Sequence, residues 1–458
     1  MREGDVVFPR VPMIRVEGPV AICQLVETTL LNCVNYASLI ATNAARMREA
    51  VSDEENKGTK KNVRLLEFGL RRAQGPDGAM SGSKYAYLGG FDSTSNVLAG
   101  ITFDIAISGT HAHSFVTSFS SLDQVHMNSS VVIQWYDSTN KQKKIKDGKD
   151  LKSKAIEYRN KLKGENTNEG ELAAFIAYAI SFPAQFLALI DTYNTLESGL
   201  VNFMSVALAL NDAGYRPLGI RLDSGDLSYL SKKCRLYFQN VSRLFELDYI
   251  EHLSIVVSND INEEVLYALK EQGHEIDAFG IGTHLVTCQK QPALGCVYKL
   301  VAIEHSPRIK ISEDIGKMTL PGIKSAYRLY IRNNEPLVDL LILDDEMQED
   351  VPNSKKSRRL LEPKRTVRCY HPSNDLIRVD IVPDRVEPLL IKVWDGKLKY
   401  KSPSLDEIRQ FCLERVRNLR KDYKRVVNPT PYKVSVSKKL KDMVQELIEK
   451  ETPVRTIQ

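Results

Sequence analysis

The stretch PLGIRLDSGDLS, residues 217–228, decides how the chain is read. A short apolar run ends in Arg221 and Asp223, which alternate outward from a strand end. Ser224, Gly225 and Asp226 then turn into a helical segment that Asp226 can cap. Strand, polar turn and helix in succession are the repeating unit of parallel α/β folds. Moving outward, similar runs appear as VRLLEFGL (63–70), VLAGITFDIAISGT (97–110), FLALIDTY (186–193), LSIVVSND (253–260) and DAFGIG (277–282). Polar or glycine-rich residues follow the runs: Arg71 and Arg72, Thr110 to Ser114, Asn259 and Asp260, Gly280 to Thr283. In α/β barrels and open parallel sheets, ligands gather at the carboxyl ends of strands. The expected fold is therefore α/β, a TIM-like but irregular barrel, with a second, smaller β-rich α+β domain.

The flanking sequence sets the expected boundaries. Residues 18–50 read as a long helix, with Leu25, Leu30, Leu31, Val34, Leu39 and Ile40 at helical spacing. Residues 52–62 read as a polar loop, and the lysine-rich stretch 141–163 as a solvated helix or loop. The apolar stretch Ala173 to Ile190 is broken by Ser181, Pro183 and Gln185; it reads as a buried helix stopped near Phe182 and then a buried strand, not a membrane span. Past residue 305 the alternation fades. Residues 306–342 and 365–400 look strand-rich, with turns at Pro321–Gly322 and Asp395–Gly396, and the acidic-then-basic loop 344–358 lies between them. Its SKKSRR run reads as a surface loop. Residues 403–425 read as a final helical segment, with Leu405, Ile408, Phe411, Cys412, Val416 and Leu419 in phase. The expected domains are 1–17, the remnant of the N-terminal part of the second domain; 18–304, the catalytic barrel; and 305–458, the β-rich domain with a helical tail.

Composition narrows the function class. Of 458 residues, 43% are hydrophobic and 26% charged, as in a soluble globular protein. A formal charge of +5 over this length does not mark a nucleic-acid binder. The seven cysteines form no CxxC pair and read as reduced thiols of a cytosolic protein. Walker, Rossmann and HExxH motifs are absent from the sequence.

Four motifs can carry chemistry. GTHAHS (109–114) places His111 and His113 at i and i+2, on one side if the segment is extended. Histidine suits proton transfer, metal binding or phosphorylation as a nucleophile, and a pair of hydrogen-bonded loop histidines is the plain alternative. In GIRLDSGDLS, Arg221 can grip a carboxylate or phosphate, and Asp223 can bind sugar hydroxyls or Mg2+; a mutual salt bridge is the plain alternative. FGIGTHLVT (279–287) brings small residues to a strand end, where backbone N–H groups can approach a phosphate. FGLRRAQGPDG (68–78) offers Phe68 to stack on a flat ring and Arg71 for an anion.

Taken together, the blocks resemble the nicotinate phosphoribosyltransferase family, of the type II phosphoribosyltransferases. The similarity lies in ETTLLNCVNYASLIATNAARM (27–47), EFGLRRAQGPDGAMSGSKYAYLGGFDSTSNVLAG (67–100), GTHAHSFV (109–116), GIRLDSGDL (219–227), FGIGTHLVT (279–287) and TLPGIKSAYR (319–328). The resemblance implies formation of nicotinate mononucleotide and pyrophosphate from nicotinate and 5-phosphoribosyl 1-pyrophosphate, coupled to ATP hydrolysis. It implies that His113 is phosphorylated by ATP and is catalytic together with Asp223 and Arg221. Thr110, Arg221 and Phe68 would bind nicotinate; Arg71, Asn259, Gly282 and Thr283 would bind phosphoribosyl pyrophosphate. Mg2+ or Mn2+ would accompany the phosphorylated substrates. Family members are homodimers with a shared active site, into which a tyrosine in a DxYxxT-like segment reaches from the neighbouring subunit. The chain has no counterpart of that N-terminal segment. Two other readings stay open on the sequence: a nicotinamide or quinolinate phosphoribosyltransferase relative, and a catalytically inactive, truncated subunit that modulates a full-length partner.

Overall fold

The structure is a computed structural model and describes residues 1–52, 63–125, 134–136, 142–144, 149–313, 318–332, 334–350, 357–359 and 361–452. Most of the expected 52–62 loop, part of the lysine-rich stretch and the centre of the 344–358 loop fall outside these residues. The chain splits into two compact units, Leu39–Pro292 and Met1–Ser38 with Ala293–Gln458. The divisions thus fall at 38/39 and 292/293, not at 17/18 and 304/305. The helix Glu27–Val51 is shared between the units, and no change of composition along it announces the division.

In the unit 39–292, six parallel strands form one sheet: β1 (Arg64–Glu67), β2 (Ser93–Thr94), β3 (Leu187–Leu189), β4 (Gly219–Leu222), β5 (Ser254–Val257) and β6 (Ala278–Ile281), in the order β2-β1-β6-β5-β4-β3. Most of their side chains, among them Leu65, Ala188, Ile220, Val256 and Phe279, are buried, as expected where helices cover a parallel sheet. Ile107 adds an isolated parallel bridge to Thr94, beyond β2. At the other margin the Leu189 N–H donates to His111 Nε2 at 3.1 Å, so a side chain takes a bond that a further strand would otherwise make. This is the irregular α/β architecture expected.

One run departs from its reading. Within VLAGITFDIAISGT, Val97–Phe103 is a helix, because the Asn96 side chain caps it by accepting from the Ala99 N–H at 3.3 Å. Elsewhere the local signals hold. Helix Glu169–Ser181 ends at Phe182, before Pro183, and β3 follows. Asp226 caps helix Leu227–Phe245 by accepting from the Tyr229 N–H at 2.9 Å.

The other unit holds a six-stranded mixed sheet: β7 (Lys324–Ile331), β8 (Glu335–Leu343), β9 (Val367–Tyr370), β10 (Arg378–Ile381), β11 (Arg385–Pro388) and β12 (Lys433–Val436), in the order β10-β9-β12-β8-β7-β11. Alternation along β8 feeds two cores, Val338, Leu340 and Ile342 in one, Leu341 and Leu343 in the other. Arg328 and Asp339, cross-strand partners and fully buried, form a two-pronged ion pair at 2.7 and 2.8 Å. Arg328 also donates to the Val6 carbonyl, which ties the first residues of the chain to this sheet.

Candidate active site

The polar residues converge because the strands are parallel and in register. Glu67 pairs with Ile281, Val257 with Phe279, Arg221 with Val256 and Leu189 with Arg221. The residues just past these strand ends, Phe68, Gly282, Ser258, Asp223 and Asp191, therefore emerge at one end of the sheet.

Arg221 is the hub. Its Nε donates to Ser258 Oγ at 2.9 Å, Nη1 to Thr110 Oγ1 at 2.9 Å and Nη2 to Asp223 Oδ1 at 3.3 Å. Its guanidinium carbon lies 5.3 Å from the centre of the Phe68 ring. Ser258 also donates to Asp223, so the serine bridges cation and carboxylate. The ring position of Phe68 is set by its neighbour across the sheet. A Cβ on Gly280 would lie 2.4 Å from Phe68 Cε2, so only glycine leaves the ring its place. The turn after β1 is fastened by Glu67, which is buried and accepts from the Gly69 N–H, from Ser83 Oγ at 2.8 Å and from Thr94 Oγ1 at 2.5 Å.

His113 opens the short helix His113–Thr117. Its Nδ1 is 3.0 Å from Thr192 Oγ1, while Nε2 faces two carboxylates, 3.6 Å from Asp223 and 3.9 Å from Asp191. Asp191 is almost wholly buried, with a side chain 1% exposed. Its Oδ2 accepts from the Asp223 N–H at 2.8 Å and from Ser224 Oγ at 2.6 Å; its Oδ1 has no hydrogen-bond partner among the described residues. The expectation that His111 and His113 work on one side gives way to a division of labour. His111 packs against Phe115, Phe175 and Tyr178 and accepts from Leu189. Burial pushes its imidazole down to about 4, so it is neutral at physiological pH and structural.

The chain is similar to known proteins over nearly its whole length. The nicotinate phosphoribosyltransferase family model matches residues 204–353, and the model of that family's C-terminal domain matches 323–444. Nicotinate phosphoribosyltransferase of Dictyostelium discoideum is 51% identical, covering 99% of this chain and 73% of that protein. Nicotinate phosphoribosyltransferase 2 of Arabidopsis thaliana is 50% identical, covering all of this chain and 79% of that protein. The crystal structure of human nicotinic acid phosphoribosyltransferase superposes with a TM-score of 0.80 at 38% identity, over 97% of this chain and 81% of the human one. The chain belongs to the nicotinate phosphoribosyltransferase family.

Of the residues that the family resemblance singled out, His113, Asp223, Arg221, Thr110 and Phe68 form one contiguous group. Gly282 touches it through the backbone, since a Cβ there would lie 2.8 Å from the Phe68 carbonyl oxygen. Thr283 begins the five-residue helix Thr283–Thr287 beside it in sequence. Arg71, on the exposed turn Leu70–Arg72, and Asn259, exposed just after Ser258, stand outside the bonded group. Asn259 and Asp260 both have positive φ, 98° and 43°, a strained backbone at the end of β5. Sequence reading missed Asp191, Thr192, Ser258 and Glu67. The first two close FLALIDTY and the third closes LSIVVSND, so the strand-end rule could have found them. Glu67, inside an apolar run, gave only the signal of a charge where none is expected.

Proposed function

We propose that the chain transfers the phosphoribosyl group of 5-phosphoribosyl 1-pyrophosphate to nicotinate and couples the reaction to ATP hydrolysis through His113. The observation that carries this is the junction of two half-sites. Phe68 and the Arg221 guanidinium form an apolar and cationic corner, and His113 lies beside it against Asp191 and Asp223. A flat aromatic ring bearing one carboxylate matches the first half-site. Arginine has five N–H donors, and three groups of Arg221 are already bonded, which fixes the fork and leaves donors for the substrate carboxylate.

The nicotinate ring nitrogen attacks C1′ of the ribose as the bond from C1′ to the pyrophosphate oxygen breaks, through a cation-like sugar. The residues hold the ring, neutralise the departing charge and exclude water. Asp223 orders the ribose; Gly282 and Thr283 receive the 5′-phosphate; Arg71 and Asn259 line the approach of the phosphates. Thr192 occupies Nδ1 of His113, which leaves Nε2 as the nitrogen that takes a phosphoryl group from ATP. Asp223 and Asp191 offer the hard oxygen donors that suit Mg2+ or Mn2+, which would neutralise phosphate charge when bound. No cluster of three or more acidic, histidine or cysteine ligands occurs among the described residues.

The partners we propose are these small molecules and a second copy of the chain in a homodimer with a shared site. Light scattering of the purified protein tests the dimer. No helix among the described residues is long and apolar enough to cross a membrane. The cysteines are unpaired, which supports a cytosolic location that cell fractionation tests. The test of function is product formation by the purified chain with nicotinate, phosphoribosyl pyrophosphate, Mg2+ and ATP. Nicotinate mononucleotide should appear in an ATP-stimulated way, and His113→Ala should abolish the stimulation. A folded chain that makes no product refutes the proposal.

A further inference from the structure

Helix Glu169–Ser181 buries a carboxyl group that the reaction does not use. Glu171 is 0% exposed. Its Oε2 accepts from Ser198 Oγ at 2.6 Å and from Asn202 Nδ2 at 3.0 Å. Its Oε1 and the Asn202 Oδ1 are buried acceptors without a hydrogen-bond donor among the described residues. Burial, helped by the charge of Asp191, pushes the Glu171 carboxyl up to about 7. A buried carboxyl that accepts from two side chains fixes the direction of both.

What Glu171 holds leads to the site. Ser198 lies in a π-helical turn, Thr195–Gly199, a rare form that is frequent at functional sites. The turn begins three residues after Thr192. Asn194 fastens its start by accepting from the N–H groups of Leu196 at 3.2 Å and Glu197 at 2.9 Å. Its end sits directly on the backbone that precedes Asp191: a Cβ on Gly199 would lie 1.8 Å from the Ile190 carbonyl oxygen. Ser198 Oγ also accepts from the Asn168 N–H at 3.0 Å, so the turn is tied to the start of the Glu171 helix twice.

We infer that Glu171 is a positioning residue for His113: through Ser198 and Asn202 it fixes the π turn, and with it the loop that sets Asp191 and Thr192 against the imidazole. The chemical consequence rests on the function proposed above. Glu171→Gln keeps an acceptor for Ser198 and Asn202 and adds a permanent donor; Glu171→Leu keeps the bulk and loses both.

Two readouts on the full chain test this. With histidine-selective 15N labelling, the ring resonances of His113, assigned by their loss in His113→Ala, should move in Glu171→Leu and stay in place in Glu171→Gln. The ratio of ATP-stimulated to ATP-independent turnover should fall about tenfold or more in Glu171→Leu, since small misplacements cost that much. It should persist in Glu171→Gln. The KM for nicotinate should hold within about twofold, because Arg221 and Phe68 stand on other strands. A folded Glu171→Leu chain with unshifted His113 resonances overturns the inference. If that variant does not fold, Ser198→Ala is read in the same way. The spectrum needs no turnover, so a wild-type chain that makes no product counts against the proposed function and leaves this inference to be decided by the resonances.

Discussion

Gly280→Ala tests whether the Phe68 ring is placed for substrate. The added methyl would lie 2.4 Å from Phe68 Cε2 and 2.5 Å from Cδ2. Carbon atoms rest at about 3.5 Å or more, so the ring must retreat by roughly 1 Å. Gly280 is itself buried in the middle of the sheet, paired with Leu66. Overpacking there should cost about 1–3 kcal/mol of stability, read as a shift of the urea midpoint. The ring's retreat removes a stacking contact worth about 0.5–1.5 kcal/mol, so the KM for nicotinate should rise roughly twofold to tenfold. The KM for phosphoribosyl pyrophosphate should change less. A double-mutant cycle isolates the cause. Phe68→Ala removes the atoms with which the new methyl collides, so adding Gly280→Ala to it should raise the nicotinate KM no further. If Gly280→Ala raises KM equally with and without Phe68, the effect does not pass through the ring, and the assignment of Phe68 to the nicotinate corner is wrong. The steady-state assay follows nicotinate mononucleotide at saturating phosphoribosyl pyrophosphate.

Two further outcomes follow from single side chains. Arg221→Lys replaces a planar fork bonded to Thr110, Ser258 and Asp223 with a point charge; the nicotinate KM should rise about tenfold to a hundredfold, given charged hydrogen bonds of roughly 1.5–3 kcal/mol, and an unchanged KM would remove Arg221 from carboxylate recognition. His111, pushed down to about 4 in the folded chain, remains neutral there while the unfolded chain binds a proton near pH 6.5. Its contribution is therefore complete above about pH 6.5 and is lost as pH falls from there towards 4, by at most about 3 kcal/mol. Denaturant titrations should show this decline, and His111→Gln should flatten it; equal slopes in the two proteins would show that His111 is not the group responsible.

Much of the site was legible because it is written locally. In a parallel sheet the residue after each apolar run emerges at one end, so Arg221, Asp223 and Phe68 could be grouped before any coordinates existed. Which apolar runs are strands was less legible: a short run such as VLAGITF carries no period that separates strand from helix, and the Asn96 cap decided it. The unit boundary at Ser38 was hidden inside one continuous helix.

The carboxylates that were missed show what local reading lacks. Asp191 looked like the charge that ends an apolar stretch. Its role comes from the Asp223 N–H and Ser224 hydroxyl, 32 and 33 residues away in sequence, which only strand register brings within reach. Glu67 and Glu171 are fully buried, where a charge is costly unless it is bonded or neutral. Both follow from the same requirement. A loop that must hold a reacting group cannot be anchored by apolar packing alone, because packing fixes volume better than direction. Glu67 directs the turn that bears Phe68, and Glu171 directs the turn that follows Asp191. The buried acids that fasten these loops are thus the counterpart of the acids in the site itself, and a carboxylate inside or at the edge of an apolar run is the sequence signal for where such a loop is fastened.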